Sequence, residues 1–151
     1  MSIMENRSWL AWYTQAKMNA RLMERMSDEL ERRTGLPGAW FEVLANLKTG
    51  PLRMNALADD LILSRGGATR LIARMEEAGL VERETPPTDR RATFAVITDK
   101  GRAAIERAAP VHLELVEQAF GRHLEPDEIE TILRVAARVC EAHGWPAKTP
   151  G

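Results

Sequence analysis

The sequence predicts a mainly α-helical protein with one small β-hairpin, and three observations support this prediction. Apolar residues recur at helical spacing over most of the chain. Two short segments, 80–85 and 92–98, flank a loop rich in Pro, Asp and Arg, which predicts two strands joined in a hairpin. The chain has 151 residues, of which 44% are hydrophobic and 28% charged, and this is enough for one compact core.

Six helices are predicted, four before the hairpin and two after it. They span residues 8–33, 39–48, 54–61, 64–79, 99–121 and 126–143. Apolar residues of the first helix form two stripes, one with Trp9 and Met23 and the other with Leu22 and Leu30, which indicates two packing partners. Pro110 removes one backbone donor and predicts a kink or a loosened turn in the fifth helix. The residues that the sixth helix is predicted to bury are Ile129, Ile132, Leu133, Ala136, Val139 and Cys140.

The third and fourth helices and the hairpin follow one another in the order of a winged helix-turn-helix. Ser64 is suited to cap the fourth helix, and Gly79 ends it. The outward face from Arg65 to Arg74 contains three arginines and no acid, and the hairpin tip again concentrates arginine. Arginine presents a planar fork that grips guanine edges and phosphates, so this surface is interpreted as a nucleic-acid interface.

Composition limits the other function classes. The formal net charge is −1 and the pI about 6.3, so attraction to nucleic acid must come from where the charges lie. Cys140 is the only cysteine, which excludes an intramolecular disulfide and suits a reducing cytoplasm. Its position on the apolar stripe of the sixth helix favours a buried packing role. The three histidines lack partners at metal-ligand spacing, and no phosphate-binding loop or nucleophile motif occurs. We therefore expect neither enzyme, cofactor, metal nor membrane span, and a cytoplasmic location.

Three segments resemble the core of the MarR-type transcriptional regulators: residues 57–83 (LADDLILSRGGATRLIARMEEAGLVER), 89–91 (DRR) and 97–101 (ITDKG). The resemblance implies that residues 64–74 form the recognition helix and that Arg91 enters the minor groove from the wing. It also implies that Asp89 orients the wing arginines or pairs with Arg74. The predicted DNA-contacting residues are Ser64, Arg65, Gly66, Gly67, Thr69, Arg70, Arg74, Asp89, Arg90 and Arg91.

Two departures from the family pattern stand out. Gly66 and Gly67 replace the hydroxyl residues that many members carry, and each glycine costs about 1 kcal/mol of helix propensity relative to alanine. Without side chains at these positions, the backbone can approach DNA closely. Glu125 stands where a Ser or Thr cap is usual before the last helix, which predicts a weaker helix end.

The terminal helices carry more apolar surface than a winged domain needs, which favours a homodimer. We assign residues 1–34 and 102–143 to a helical dimerisation region, 35–101 to the winged helix-turn-helix and 144–151 to a flexible tail. A two-fold dimer presents two recognition helices to a pseudo-palindromic operator, and the resemblance implies a repressor. The alternative is a winged-helix module that binds only proteins, but such a module does not need arginines on both the helix and the wing.

The resemblance also implies a small aromatic or phenolic effector that lowers DNA affinity from a cleft between the winged domain and the dimer helices. Aromatic side chains concentrate in the first two helices, although aromatics at helical spacing are also typical of a core. The candidate ligand-binding residues are Trp9, Trp12, Tyr13, Arg21, Trp40 and His112.

Overall fold

The structure is a computed structural model that describes residues 2–147. Six helices and three short strands follow one another in this described part of the chain. Their bounds are α1 Arg7–Thr34, α2 Gly38–Leu47, β1 Leu52–Arg53, α3 Met54–Asp60, α4 Arg65–Glu77, β2 Val81–Glu84, β3 Phe94–Ile97, α5 Asp99–Ala119 and α6 Pro126–Ala142. Single 3₁₀ turns at Ile3–Glu5 and Gly121–His123 precede α1 and α6. The mainly α-helical fold with its small hairpin is therefore confirmed.

The strands form one antiparallel sheet in the order β1-β3-β2. In the hairpin Val81 faces Ile97 and Glu84 faces Phe94 across the ladder. Strand β1 was not predicted; it pairs Leu52 with Ala95 and so covers the outer edge of β3. A strand of two residues is too short to show the alternation of apolar and polar residues, so the sequence carries no signal for β1.

The hydrophobic core lies in the winged domain and extends to Leu30 near the end of α1 and to Ala104, Ile105, Ala108 and Leu115 on α5. The largest fully buried side chains are Leu30, Leu44, Leu47, Leu57, Ile72, Met75, Val43 and Val81. They come from α1, α2, α3, α4 and β2, so the core fixes α4 against the two helices before it and against the hairpin. Truncation of any buried Leu to Ala costs about 2–5 kcal/mol, because a cavity remains.

Helix α6 corrects one prediction. None of its residues is buried in the single chain, and Ile129, Leu133 and Val139 are 38–48% exposed. The stripe that was predicted to face inward turns away from its own chain. On α1 the same holds for Trp12 and Met23, which are 65% and 62% exposed.

The backbone around these terminal helices is regular. Helix α5 continues through Pro110 to Ala119. Before α6, the Glu128 carboxylate accepts a hydrogen bond of 2.8 Å from the Glu125 amide. This bond supplies part of the helix cap, although no Ser or Thr hydroxyl is present at position 125.

In the predicted tail, the Trp145 ring stacks on the His143 ring with centroids 4.4 Å apart. Residues 148–151 of that tail lie outside the described part of the chain. Within residues 2–147 no helix has the length and apolarity needed to cross a membrane.

Candidate nucleic-acid interface

Helix α4 carries the predicted recognition surface, and the side chain of Ser64 caps its first turn. The Ser64 hydroxyl accepts a hydrogen bond of 3.0 Å from the Gly67 amide, which satisfies one donor that the helix start leaves unpaired. The Thr69 hydroxyl donates to the Arg65 carbonyl at 2.9 Å. Ala68, Leu71, Ile72 and Met75 are buried on the inner face, so the arginines at 65, 70 and 74 point to solvent.

The glycine pair at the start of α4 makes room for Arg70. A Cβ atom added at Gly66 would lie 3.2 Å from Arg70 Nη1, and one added at Gly67 would lie 4.0 Å from Nη2. The Arg70 guanidinium therefore lies back along the first helical turn, over backbone that carries no side chain. This places a cation beside the unpaired amides at the helix start, where anions are favoured.

The turn between α3 and α4 contains a strained residue that the sequence analysis missed. Ile62 has φ +55°, in the left-handed region that β-branched residues rarely adopt, and it is 92% exposed. The Ile62 amide donates to the Asp59 carbonyl at 3.2 Å, and the Leu63 amide donates to the Ala58 carbonyl at 2.9 Å. These bonds hold the turn closed and set the angle between α3 and α4.

Asp89 organises the tip of the hairpin. Its Oδ1 accepts a hydrogen bond of 3.1 Å from the Arg91 amide, so the carboxylate fixes the backbone that presents the wing arginines. Its Oδ2 lies 3.8 Å from Arg53 Nη2, so the ion-pair partner is Arg53 on β1 and not Arg74. Arg53 also lies 5.5 Å from the centre of the Phe94 ring. Sequence reasoning missed Arg53, because only strand β1 brings it to the wing.

The arginines of this surface keep their charge uncompensated. In residues 2–147 no carboxylate forms an ion pair with any of five exposed arginines. These are Arg65, Arg70 and Arg74 on α4 and Arg90 and Arg91 at the wing tip. Nearby, by contrast, Arg83 on β2 pairs with Glu76 at 2.9 Å. The surface is locally basic although the chain as a whole carries a net charge of −1.

The carboxyl end of α4 is bonded to the start of α5. The Lys100 ammonium donates to the Ala78 carbonyl at 2.7 Å, and the Thr98 hydroxyl donates to the Gly79 carbonyl at 2.6 Å. The Thr98 amide donates to the Leu80 carbonyl at 3.2 Å. We call these three contacts the α4–α5 clamp. Because cations and donors satisfy the unpaired carbonyls at a helix end, the clamp stabilises the end of α4 and fixes its direction relative to α5.

At position 101 the start of α5 lies so close to the Leu80 backbone that only glycine fits. A Cβ atom at this position would lie 2.1 Å from the Leu80 carbonyl oxygen, well inside van der Waals contact. The Gly101 amide in turn donates to the Thr98 hydroxyl at 3.0 Å, which caps α5. The close approach of the two backbones is what brings Thr98 and Lys100 onto the end of α4.

The aromatic residues predicted to bind a ligand are not gathered in one cleft. The Trp9 and Tyr13 rings stack with their centroids 4.8 Å apart, and Trp12 is largely exposed. Tyr13 and Arg21 border an open groove of about 600 Å³ along α1. This part of the predicted set therefore lies on α1 alone, and no cavity of the described chain joins it to Trp40 on α2.

Trp40 and His112 lie elsewhere. His112 packs on Phe41 with ring centroids 4.3 Å apart, and burial lowers the pKa of its imidazole. In the described residues His112 Nδ1 is buried without a hydrogen-bond partner. Trp40 lines a different, smaller cleft beside the α4–α5 clamp. The single chain therefore does not gather the six residues in one cleft, and a ligand-binding role for any of them remains a prediction.

A short helix, a strained turn, an outward basic helix and a wing with a basic tip define a DNA-binding protein of the winged helix-turn-helix class. Residues 34–92 match the sequence model of the MarR family. The HTH-type transcriptional regulator MhqR of Bacillus subtilis is 31% identical over 106 residues, which cover 70% of this chain and 72% of that protein. The HTH-type transcriptional regulator YkoM, also from Bacillus subtilis, is 34% identical over 62% of this chain and 60% of its own length.

Solved structures agree. Sco3205, a MarR family transcriptional regulator from Streptomyces coelicolor crystallised in complex with DNA, superposes with a TM-score of 0.80 at 30% identity, covering 88% of this chain and 85% of that one. The chain belongs to the MarR family of transcriptional regulators. Its fold and relatives are those of DNA-binding regulators and not of enzymes.

Proposed function

We propose that the protein is a dimeric repressor that binds a pseudo-palindromic operator in the cytoplasm and releases it when a small aromatic or phenolic compound binds. The observation that supports this most strongly is the uncompensated basic surface. Five arginines without ion-pair partners among the described residues lie on the recognition helix and the wing tip, the two elements that a winged helix places against DNA.

Each contact is assigned a role. Arg65, near the start of α4, reads a base edge in the major groove, while Arg70 holds a phosphate. Thr69 holds a second phosphate once its hydroxyl turns from the Arg65 carbonyl to the DNA. Arg91 enters the minor groove from the wing, held by the bond between its amide and Asp89. Ser64, Gly66 and Gly67 bring the backbone close to the DNA, and Arg74 and Arg90 add phosphate contacts. The structure of Sco3205 in complex with DNA supports DNA as the partner of this fold.

The proposed dimer rests on the exposed apolar faces of the terminal helices. Trp12 and Met23 on α1, Leu113 on α5 and Val139 on α6 are 48–67% exposed in the single chain. A soluble monomer rarely leaves an apolar surface of this extent uncovered. A second copy covers it by placing the same helices against their symmetry mates.

The test is selection of bound sequences from a pool of random duplex DNA by the full chain, together with its molar mass by sedimentation. We expect a dimer and an enriched site with two inverted halves about 10 base pairs apart. On a log–log plot, affinity should fall with salt by a slope of about −0.9 for every phosphate neutralised. A monomer at micromolar concentration contradicts the proposed dimer. A failure to enrich any sequence contradicts the proposed DNA binding and favours a protein-binding winged helix.

A further inference from the structure

Arg53 lies at the seam between the helix-turn-helix and the wing. It is the last residue of β1 and stands immediately before α3, and it is paired with Phe94 of β3 across the ladder. The next amide, that of Met54, donates a hydrogen bond of 2.9 Å to the Thr93 carbonyl, so the start of α3 is bonded directly to the wing. The backbone of Arg53 is therefore fixed relative to both elements.

The Arg53 side chain reaches the tip of the wing through Asp89. Asp89 Oδ2 lies 3.8 Å from Arg53 Nη2, while Oδ1 of the same carboxylate accepts a hydrogen bond of 3.1 Å from the Arg91 amide. The Phe94 ring, with its centre 5.5 Å from the guanidinium carbon, supports the cation from one side. One carboxylate thus separates the Arg53 guanidinium from the backbone of Arg91, the residue proposed to enter the minor groove.

The ion pair with Asp89 leaves the Arg53 guanidinium available to another anion. Its length of 3.8 Å exceeds that of a hydrogen bond, whereas the nearby pair of Arg83 with Glu76 measures 2.9 Å. The side chains of Arg53 and Asp89 are 62% and 46% exposed, so water competes for the contact. Among residues 2–147 no second carboxylate forms an ion pair with Arg53. An approaching phosphate therefore has to displace only one long, solvated contact.

A DNA duplex supplies such an anion at this seam. The sugar–phosphate backbone separates the major groove from the minor groove, so it passes between a helix that lies in one groove and a wing that lies in the other. We infer that Arg53 binds a backbone phosphate at this boundary and joins the five arginines of α4 and the wing tip on the DNA-binding surface. This inference rests on the proposed function and adds a contact where its two elements meet. In the free protein Asp89 holds the guanidinium near the seam, and the phosphate takes its place on binding.

The first test measures the salt dependence of affinity for the operator selected by the wild-type chain. Arg53→Met keeps an unbranched side chain and removes the charge, so affinity should fall about tenfold or more, as for loss of one hydrogen bond to a charged group. The log–log salt slope should become shallower by about 0.9, the value for one phosphate contact. Arg53→Lys retains a cation and should retain the wild-type slope.

Arg122→Met is the matched control, since it removes the same charge from an exposed position in the turn before α6. It should change neither the affinity nor the slope. An unchanged slope in Arg53→Met, or an equal change of slope in the two methionine variants, would overturn the phosphate contact.

A second set of variants separates a direct contact from support of the wing. Asp89→Asn removes the carboxylate charge but keeps an oxygen that can accept the hydrogen bond from the Arg91 amide. If Arg53 binds a phosphate, Arg53→Met should lower operator affinity as much in the Asp89→Asn background as in the wild type. If Arg53 acts only by holding Asp89, its loss should have no effect in that background, and this result would overturn the inference.

Operators with single uncharged linkages locate the phosphate. A methylphosphonate group removes the charge of one phosphate, so a scan along the operator should find a linkage that weakens binding of the wild type but not of Arg53→Met. A scan in which every linkage affects both proteins alike would contradict the contact. If the wild-type chain enriches no DNA sequence, the proposed function itself has failed. An operator that binds the wild type and Arg53→Met with the same salt slope overturns only the role of Arg53.

Discussion

Lys100 Nζ donates a hydrogen bond of 2.7 Å to the carbonyl oxygen of Ala78, and this contact joins the helix that follows the wing to the end of the recognition helix. The aliphatic stem of Lys100 passes over Gly79, with its Cδ 3.6 Å from the position of a Cβ atom there. Gly79 has φ +76°, which allows the chain to leave α4 and enter β2 directly. The direction of α4 is therefore fixed by contacts at its carboxyl end, at the opposite end from its cap at Ser64.

The first prediction concerns this contact. Lys100→Met keeps the stem over Gly79 and removes the donor, so α4 should lose orientation without losing its core packing. We expect operator affinity to fall about tenfold or more, as for loss of one hydrogen bond to a charged group. The salt slope should stay unchanged, because Lys100 is assigned no phosphate. If the log–log salt slope became shallower by about 0.9, the value for one phosphate contact, Lys100 would instead be a phosphate ligand.

The second prediction contrasts two glycines of the winged domain. Gly101→Ala should lower the free energy of unfolding by about 1–3 kcal/mol, since its Cβ atom would lie 2.1 Å from the Leu80 carbonyl oxygen and force the backbones apart. Gly66→Ala should raise it by about 1 kcal/mol, because the Cβ atom meets only the mobile end of Arg70 and alanine is the better helix former. Urea denaturation of both variants measures the two signs.

Gly66→Ala also tests the role of the glycine pair in DNA binding. If the bare first turn serves the approach of DNA and the seating of Arg70, the variant should be more stable yet bind the operator less tightly. A gain in both stability and affinity would show that the glycine has no part in DNA binding.

The third prediction concerns strain at Ile62. Asparagine adopts a positive φ more readily than a β-branched residue, so Ile62→Asn should raise the free energy of unfolding by about 1 kcal/mol. The side chain is 92% exposed, so the loss of its apolar contacts costs little. Ile62→Val retains the branched side chain and should give no gain. Equal stabilities for the asparagine variant and the wild type would contradict the assignment of strain to this turn.

The fourth prediction is a dependence of stability on pH that arises at His112. Burial holds its pKa below the ordinary value of 6.5, so the unfolded chain binds the proton more tightly than the native one. The stabilisation is therefore present above pH 6.5 and is lost as the pH falls through that value towards the lower pKa of the folded state. Thermal unfolding between pH 8 and pH 5.5 should show a falling Tm.

A matched pair of variants assigns this dependence. His112→Phe keeps an aromatic ring against Phe41 and removes the titrating group, so the decline in Tm over this range should become smaller. His123→Asn, at an exposed position, should leave the decline in place. A decline that is the same in His112→Phe as in the wild type would show that other groups cause it.

The sequence predicted those parts of the molecule whose signals are local. Ser64 as the cap of α4 and Gly79 as its end are confirmed by a hydrogen bond of 3.0 Å and a φ of +76°. These features depend on neighbouring residues only. Strand β1 and the ion pair of Arg53 with Asp89 depend on a pairing between residues more than 30 positions apart, and no local pattern records them.

Burial on the terminal helices was predicted less well. Periodicity located the apolar stripe of α6, with Ile129, Leu133 and Val139 along it, but it does not tell which molecule covers a stripe. The aromatic residues of α1 and α2 are close in sequence, but they do not line one cleft. Sequence proximity does not show which faces of two neighbouring helices meet. Trp40 was predicted to line a ligand site, whereas its neighbours Lys100 and Arg107 follow only from the fold.

The central claim, that the basic recognition helix and wing bind an operator, is tested most directly with Arg91→Ala on the operator selected by the wild-type chain. The Arg91 side chain is exposed and holds no core residue, so Tm should stay within about 1 °C of the wild type while operator affinity falls about tenfold or more. Arg122→Ala, which removes a charge in the turn before α6, is the control and should bind normally. Undiminished binding by Arg91→Ala would contradict the account.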